Sequence, residues 1–316
     1  MYAAPPVLQT TVFARIPDNL RIRGRSNRWI DVQRGGAPTD CFLEGPSFDR
    51  AGNLYVVDVA WGRIFRIAPG GEVELFTEYD GEPNGLKIHR DGRIFVADFR
   101  HGLMVVDPVT RAVTPWLERA WLDRFKGLND LVFAGNGDLY FTDQGLSGLH
   151  DPSGCLYRLR VDGRLERLLD NIPSPNGLVL NAAENTLYLN VTRGNCVWRV
   201  PLLPDGTPYK VGVFIQLSGG LGGPDGLAID SAGNLAVAHI GMGTVWLFSP
   251  LGEPLARIKS CAGLATTNLA YGGPDLTHAG YHAAMKLADD HGQTCRVYES
   301  GKICPLCTSH EQRVRA

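Results

Sequence analysis

The stretch GLNDLVFAGNGDLYFTD, residues 127–143, contains one complete copy of the pattern that decides the fold. A polar residue, Asn129, leads a short apolar strand, and a turn rich in Gly and Asn separates it from a second strand. The second strand, Leu139–Asp143, has the aromatic and β-branched side chains that are typical of β-sheets. Because Gly and Asn accept positive φ at low cost, the turn favours a tight hairpin.

The polar lead residue recurs along the chain at nearly constant spacing. The six leads are Glu44, Asn84, Asn129, Asn176, Asp225 and Asn268. Successive leads are 40, 45, 47, 49 and 43 residues apart. A period of this length is that of one four-stranded propeller blade. The sequence therefore predicts an all-β fold, a six-bladed β-propeller.

The two ends of the chain depart from the repeat. We expect residues 1–40 to form a lead-in that is able to supply a closing strand, and residues 41–280 to form the propeller. After Asp275 no turn and strand follow, and residues 281–290 look more helical than extended. Residues 281–316 are therefore predicted to form an atypical end of the last blade and a Cys-containing tail. Cys295, Cys304, Cys307 and His310 match a zinc site in composition, but their spacing argues against one.

Composition narrows the class of protein without indicating its chemistry. Apolar residues make up 44% of the 316, and the formal charge of -2 gives no basic surface for nucleic acid. No apolar run is long enough to cross a membrane, and residues 1–9 lack the pattern of a secretory signal. Seven scattered cysteines fit reduced thiols better than a disulfide framework. We therefore expect a cytoplasmic protein that binds neither nucleic acid nor membranes.

The chemistry of the leads indicates a metal site. Equivalent positions of successive blades form a ring around the central channel of a propeller. All six leads carry oxygen donors, and Glu44 and Asp225 are carboxylates. Oxygen ligands without Cys or His suit a hard cation. The ring predicts one divalent cation, with Ca²⁺ favoured and Mg²⁺, Mn²⁺ or Zn²⁺ as alternatives.

Five motifs around the leads carry a family likeness. They are Phe42-Leu43-Glu44-Gly45-Pro46, Gly127-Leu128-Asn129-Asp130-Leu131, Ser174-Pro175-Asn176-Gly177-Leu178, Gly223-Pro224-Asp225-Gly226-Leu227 and Thr266-Thr267-Asn268. With them the chain resembles the gluconolactonase/regucalcin (senescence marker protein) family of six-bladed propellers, which includes bacterial lactonases. The resemblance implies a catalytic cation held by the positions of Glu44, Asn129, Asn176 and Asp225. It also implies metal-dependent hydrolysis of a small-molecule lactone.

One departure from the family bears on the substrate. Members similar to regucalcin carry a substrate-contacting Arg two residues before the Asn that matches Asn129, and here that position is Gly127, with Lys126 beside it. The resemblance therefore implies a lactone that is less polar than a sugar lactone.

The expected mechanism assigns roles to several further residues. The metal polarises the lactone carbonyl, and Asp225 acts as general base or as nucleophile. Asn84, His239 and Asn268 are predicted to bind substrate. Asp143 and Gln144 end the equivalent strand of the third blade and are weaker candidates.

Three alternatives remain open at this stage. The ring could serve a non-catalytic calcium-binding platform, or a secondary-metabolism enzyme that reuses the metal site for another reaction. A propeller of the strictosidine-synthase type, which works without metal, is disfavoured by the two carboxylates among the leads. The sequence leaves the oligomeric state open.

Overall fold

The computed structural model of the protein describes residues 4–272 and 293–297. Before the propeller come strand β1 (Val7–Arg15) and helix α1 (Arg28–Arg34). Asn27 caps α1 by accepting a hydrogen bond from the Ile30 N–H at 3.0 Å, and Gly35 ends it in a left-handed conformation. Trp29 and Ile30 bury the helix against the first blade.

The propeller consists of antiparallel sheets of four strands each. The first blade comprises β2 (Leu43–Phe48), β3 (Leu54–Asp58), β4 (Arg63–Ile67) and β5 (Val73–Glu78), and the second β6 (Pro83–Ile88), β7 (Ile94–Asp98), β8 (Gly102–Val106) and β9 (Val113–Leu117). A hairpin, β10 (Arg119–Ala120) and β11 (Asp123–Arg124), precedes the third blade, which comprises β12 (Leu128–Phe133), β13 (Leu139–Asp143), β14 (Gly154–Leu159) and β15 (Leu165–Ile172). The fourth comprises β16 (Pro175–Leu180), β17 (Thr186–Val191), β18 (Cys196–Pro201) and β19 (Gly212–Gln216), and the fifth β20 (Gly223–Ile229), β21 (Leu235–Ile240), β22 (Thr244–Phe248) and β23 (Pro254–Lys259).

The prediction of an all-β propeller is confirmed, but the predicted number of six blades is wrong. The described residues form five blades, and residues 260–272 contain no strand. Thr267 instead bonds to both neighbouring blades: its carbonyl accepts from the Gly226 N–H at 2.8 Å, and its hydroxyl donates to the Leu43 carbonyl at 2.9 Å. Within the described residues the sixth lead therefore reaches the axis without starting a strand. Residues 273–292 and 298–316, which include most of the predicted tail, lie outside the described residues.

The core lies between blades because each second strand is buried on both faces. Tyr140 of β13 packs with the fourth blade, whereas its neighbour Phe141 packs with the second. This alternation follows from the two-residue period of a strand. The packing fixes each blade against the next and thereby fixes the inner strands around the axis.

Strand β1 links the fifth blade to the first. It pairs in parallel with β23, with Leu8 opposite Ile258, while β24 (Gln293–Val297) pairs antiparallel with its other edge. Ala14, at the end of β1, packs with Leu43 and Phe65 of the first blade. The boundary predicted for the lead-in stays a prediction. Within the described residues, no helix is long and apolar enough to cross a membrane.

Candidate functional site

Five of the leads start the inner strands of the five blades, and Asn268 lies between the fifth blade and the first. The side chains of Glu44, Asn129, Asn176, Asp225 and Asn268 are all buried. Asn84 is half-buried. The inner strands lie next to one another in chain order, from β2 through β6, β12 and β16 to β20. The predicted leads therefore lie near the starts of adjacent inner strands around the axis. We call this end of the propeller axis the lead face.

Hydrogen bonds join the leads to one another. The Asn268 amide donates to Glu44 Oε2 at 3.0 Å, and the Gly45 N–H donates to the same oxygen at 3.1 Å. Asn176 hydrogen-bonds the Asp225 carboxylate. These contacts bring both carboxylates and two amides of the ring into one site.

Polar residues of the second strands hold the backbone of the next lead. The Asn190 amide donates to the Asp225 carbonyl at 2.6 Å, and the Thr142 hydroxyl donates to the Asn176 carbonyl at 2.9 Å. Sequence reasoning missed both residues, because each acts on the following blade. The sequence signal that could have found them is a polar residue near the end of the second strand, at the position where the first and second blades carry the apolar residues Val57 and Ala97.

A short chain of amides continues outward from Asn129. Its Nδ2 donates to Gln144 Oε1 at 3.1 Å, and Gln144 Nε2 donates to the Ser174 hydroxyl at 2.9 Å. Ser174 is buried and has a positive φ of 66°. Because Asn129 donates through its nitrogen, its carbonyl oxygen remains available to a ligand. Gln144, a weaker candidate from the sequence, thus supports a predicted metal ligand.

The two carboxylates disfavour each other's ionised form. Burial raises the pKa of Glu44 well above its usual value, and the charge of Asp225 raises it further. Burial likewise raises the pKa of Asp225 to about 7, although its bond from Asn176 and the charge of Arg193 act in the opposite direction. Within residues 4–272 neither carboxylate forms an ion pair with a basic side chain. The site therefore holds two carboxyl groups without a direct counter-charge among the described side chains.

Asp130 is a third buried carboxylate that the sequence analysis overlooked. It follows the third lead, at a position that is Gly after four other leads. Its Oδ1 accepts from the Leu131 N–H at 2.8 Å and lies 3.7 Å from Lys87 Nζ. Its charge raises the pKa of both Glu44 and Asp225. No group of three or more His, Cys, Asp or Glu in the described part of the chain is placed to hold a metal ion, so a metal here would depend on amide oxygens as well.

The ends of the second strands carry a repeated loop-closing residue. Asp58 accepts from the Phe42 N–H at 2.8 Å, Asp98 from the Glu82 N–H at 2.9 Å, and Asp143 from the Gly127 N–H at 2.8 Å. Each carboxylate thus fixes the loop that enters its own inner strand. Asp143, a weaker candidate from the sequence, thus has the same structural role as Asp58 and Asp98.

His239 occupies the corresponding position in the fifth blade, opposite Pro224. It is fully buried, and its Nδ1 accepts a hydrogen bond from the Trp246 indole at 3.2 Å. Burial lowers the pKa of the imidazole and so favours its neutral form. Because Nδ1 accepts the bond from the indole, the neutral ring carries its proton on Nε2. A Cβ on Gly220 would lie 2.5 Å from Nε2, which places the ring beneath the loop that enters β20. Its predicted contact with substrate stays a prediction.

The structure explains the glycine at position 127. Its φ is +149°, and a Cβ there would meet the ring of Phe99. No larger side chain fits without displacing that ring. Neighbouring Lys126 donates from Nζ to the Ser153 carbonyl at 2.5 Å, so its ammonium is engaged by the third blade.

Comparisons with known proteins agree with this geometry. A family model described as the SMP-30/gluconolactonase/LRE-like region matches residues 42–279. Lactonase drp35 from Staphylococcus aureus strain USA300 is 33% identical over 242 residues, which cover 73% of this chain and 72% of the relative. These matches confirm the family resemblance predicted from the lead motifs, and the named relatives support the predicted lactonase class of enzyme.

Solved structures share the fold over most of the chain. A calcium-binding protein, regucalcin, from Agrobacterium tumefaciens has a TM-score of 0.70 at 25% identity and covers 93% of this chain and 95% of its own. A gluconolactonase from Xanthomonas campestris has a TM-score of 0.66 at 23% identity and covers 87% of this chain and 96% of its own. The second likeness concerns the fold alone.

Proposed function

This chain belongs to the SMP-30/gluconolactonase/LRE-like family, and from that premise we propose that it is a metal-dependent lactonase with its active site on the lead face. The observation that carries the proposal is the pairing of Glu44 and Asp225 in one buried site with amides from other blades. Like charges in such a place are costly unless a cation joins them. The relatives named lactonase support lactone hydrolysis as the reaction.

The side chains at the axis fit a divalent cation. Glu44 and Asp225 would supply a formal charge of about -2, which balances such an ion, and Asn129 and Asn176 would supply neutral oxygens. Ca²⁺ is the favoured ion because the set contains neither thiolate nor imidazole. When bound, the cation would supply Lewis-acid polarisation of the lactone carbonyl.

Asp225 is the residue that we assign to the chemical step. As general base it takes a proton from the attacking water and returns it to the ring oxygen that leaves. As nucleophile its carboxylate attacks the lactone carbonyl, the ring C–O bond breaks and the released oxygen takes a proton from water. A second water then hydrolyses the resulting anhydride, which frees the hydroxy acid and restores the carboxylate. The hydroxy acid is the product in both routes. The Asn190 bond to the Asp225 carbonyl and the Asn176 bond to its carboxylate orient the residue for either role.

The remaining candidates surround this group. Asn268 would orient Glu44 through its amide bond. Asn84 would contact substrate from the second blade, and His239 would do so only if the loop above it moves, because its ring is fully buried. These substrate contacts remain proposals.

The first experiment is hydrolysis of gluconolactone, butyrolactone and dihydrocoumarin in a pH-stat. The protein is stripped with chelator and refilled with Ca²⁺, Mg²⁺, Mn²⁺ or Zn²⁺. We expect turnover that disappears on stripping and returns with one ion, and Asp225→Asn should abolish it while the protein stays folded. Asp162→Asn, which removes an exposed carboxylate, is the matched control.

Single-turnover hydrolysis in ¹⁸O-labelled water separates the two roles of Asp225. Label in the Asp225 carboxylate would identify the nucleophile, because the general-base route leaves both oxygens of Asp225 unlabelled. Folded protein that binds Ca²⁺ but opens no lactone would refute the proposal. That outcome would favour the calcium-binding platform, which the likeness to a calcium-binding regucalcin makes the second candidate.

A further inference from the structure

An exposed guanidinium, which has no carboxylate partner among the described residues, lies near the axial site on the lead face. Arg193 lies in the short 3-10 turn Thr192–Gly194 that follows β17, and its side chain is exposed. The neighbouring Thr192 hydroxyl donates to the Pro224 carbonyl at 2.8 Å, one residue before Asp225. The turn is therefore fixed next to the strand that carries the catalytic carboxylate.

Arg193 has no carboxylate partner within residues 4–272, whereas two other basic groups of this face are engaged. Lys126 donates to the Ser153 carbonyl, and Arg100 forms an ion pair with Asp80. The charge of Arg193 nevertheless acts on Asp225 and lowers its pKa, against the larger effect of burial. The bond from Thr192 to the Pro224 carbonyl keeps the turn of Arg193 beside the strand that carries Asp225.

Two loops flank the guanidinium and carry exposed apolar side chains. On one side a Cβ on Gly148 would lie 3.7 Å from Arg193 Cγ, so the stem of Arg193 runs along the loop that bears Leu146 and Leu149. On the other side Asn195 donates to the Gly219 carbonyl at 3.1 Å, which holds the loop of Leu221 against the same turn. These three leucines are 62%, 74% and 85% exposed. The rim thus offers one cation between apolar surfaces.

Given the proposed lactonase function, we propose that Arg193 selects lactones that carry a carboxylate outside the ring. An exposed guanidinium at the mouth attracts an anionic group of the substrate. Arginine binds a carboxylate through two parallel hydrogen bonds. The flanking leucines favour a carbon skeleton poor in hydroxyl groups. Arg193 is thus a specificity-determining residue of the site, and the lactone ring reaches Asp225 while its carboxylate stays at the rim.

The test compares butyrolactone with its γ-carboxylate on the Ca²⁺-loaded enzyme. The wild type should prefer the carboxylate, and Arg193→Met should reduce the ratio of kcat/KM for the two substrates about tenfold, the loss expected for a hydrogen-bonded charge pair. The change should appear mainly as a higher KM for the carboxylate substrate. Arg193→Lys should retain part of the wild-type preference for that substrate. Arg199→Met, which removes an exposed charge from the neighbouring strand β18, should keep the wild-type ratio.

A binding measurement keeps this inference separate from the reaction. Calorimetry with pyroglutamate and pyrrolidinone, the lactam counterparts, should show tighter binding of pyroglutamate to the wild type and loss of that difference in Arg193→Met. Equal binding of the two lactams by the wild type, or a preference that survives in Arg193→Met, overturns the inference even if butyrolactone is hydrolysed. Failure to hydrolyse any lactone, with the pyroglutamate preference intact, would instead refute the proposed function alone.

Discussion

Glu44 and Asp225 are costly to ionise together in this site. Both are buried, and a charge on either one raises the free energy of ionising the other. Proton uptake is one way to relieve that energy, and binding of a cation is the other. Without a cation the protonated forms are favoured, because burial raises the pKa of both groups. The metal-free and metal-loaded proteins should therefore respond differently to pH.

The stability of the metal-free protein should fall as pH rises. Burial raises the pKa of Asp225 from its ordinary value of 3.8 to about 7, so the folded state holds a proton that the unfolded state has lost. The resulting stabilisation is complete below the unfolded pKa and is lost as pH rises through the folded pKa. Urea unfolding of chelator-stripped protein between pH 4 and 8, an interval of about four units around these values, measures the slope.

Asp225→Asn should flatten this slope, and the exposed Asp162→Asn should leave it unchanged. Added Ca²⁺ should stabilise the wild type more at high pH than at low pH, since carboxylates bind it in their ionised form. A slope that is the same in wild type and Asp225→Asn would show that this carboxyl does not titrate between the two states.

At the same scale, the leads were predictable because the chain repeats them in phase. Asp130, Thr142 and Asn190 were not, because each acts through a contact with another lead or with the neighbouring blade. Arg193 was missed for a similar reason: only contacts of its turn with the next blade place it near the strand of Asp225.

At the scale of the element, neighbouring inner strands lie too close together to leave room for a side chain at the position directly after most leads. A Cβ on Gly85 would lie 2.7 Å from the Asn129 carbonyl oxygen, and one on Gly177 would lie 2.7 Å from the Asp225 carbonyl oxygen. A Cβ on Gly226 would collide with Asn268 in the same way. The small residue after most leads is therefore a packing requirement of the ring.

Gly177→Ala should damage both stability and metal binding. Its φ lies outside the left-handed region, so the cost arises from the methyl group that would press on the backbone of Asp225. We expect a loss of about 1–3 kcal/mol in unfolding free energy, typical of overpacking, and weaker Ca²⁺ binding by calorimetry. Gly212→Ala is the matched control, because Gly212 lies on β19 of the same blade and a Cβ there meets nothing within 4 Å. Equal effects of the two substitutions would refute this packing role.

The element scale also shows where the sequence pattern was misleading. Turn residues and alternating apolar strands predicted the hairpins of five blades, because those signals are local. The sixth blade was predicted from its lead residue alone. A lead residue indicates that the chain passes the propeller axis, but it does not indicate that strands follow. Thr267 and Asn268 satisfy their polar groups with Leu43, Glu44 and Gly226, so the sixth position is filled without a second strand in residues 260–272.

At the scale of the whole molecule, the ring must be closed between its fifth and first blades. The segment around Thr267 closes it at the axis, and β1 closes it at the periphery. The Thr10 hydroxyl donates to the Lys259 carbonyl at 3.0 Å and accepts from the Cys261 N–H at 2.9 Å. Since β1 pairs with the fifth blade and packs on the first, it couples elements from opposite ends of the propeller sequence.

Removal of residues 1–15 should therefore weaken the whole ring. It would leave the β23 edge unpaired, and such an edge invites pairing with a second chain. We expect the midpoint of thermal unfolding to fall by roughly 5 °C or more, because about 1 kcal/mol corresponds to 2–4 °C in a chain of this size. Light scattering should also detect association. Removal of residues 1–5 is the control, since it leaves Pro6, whose carbonyl accepts from the Arg257 N–H at 2.9 Å. A monomer with an unchanged midpoint after the longer deletion would show that the contacts of Thr267 and Asn268 close the ring by themselves.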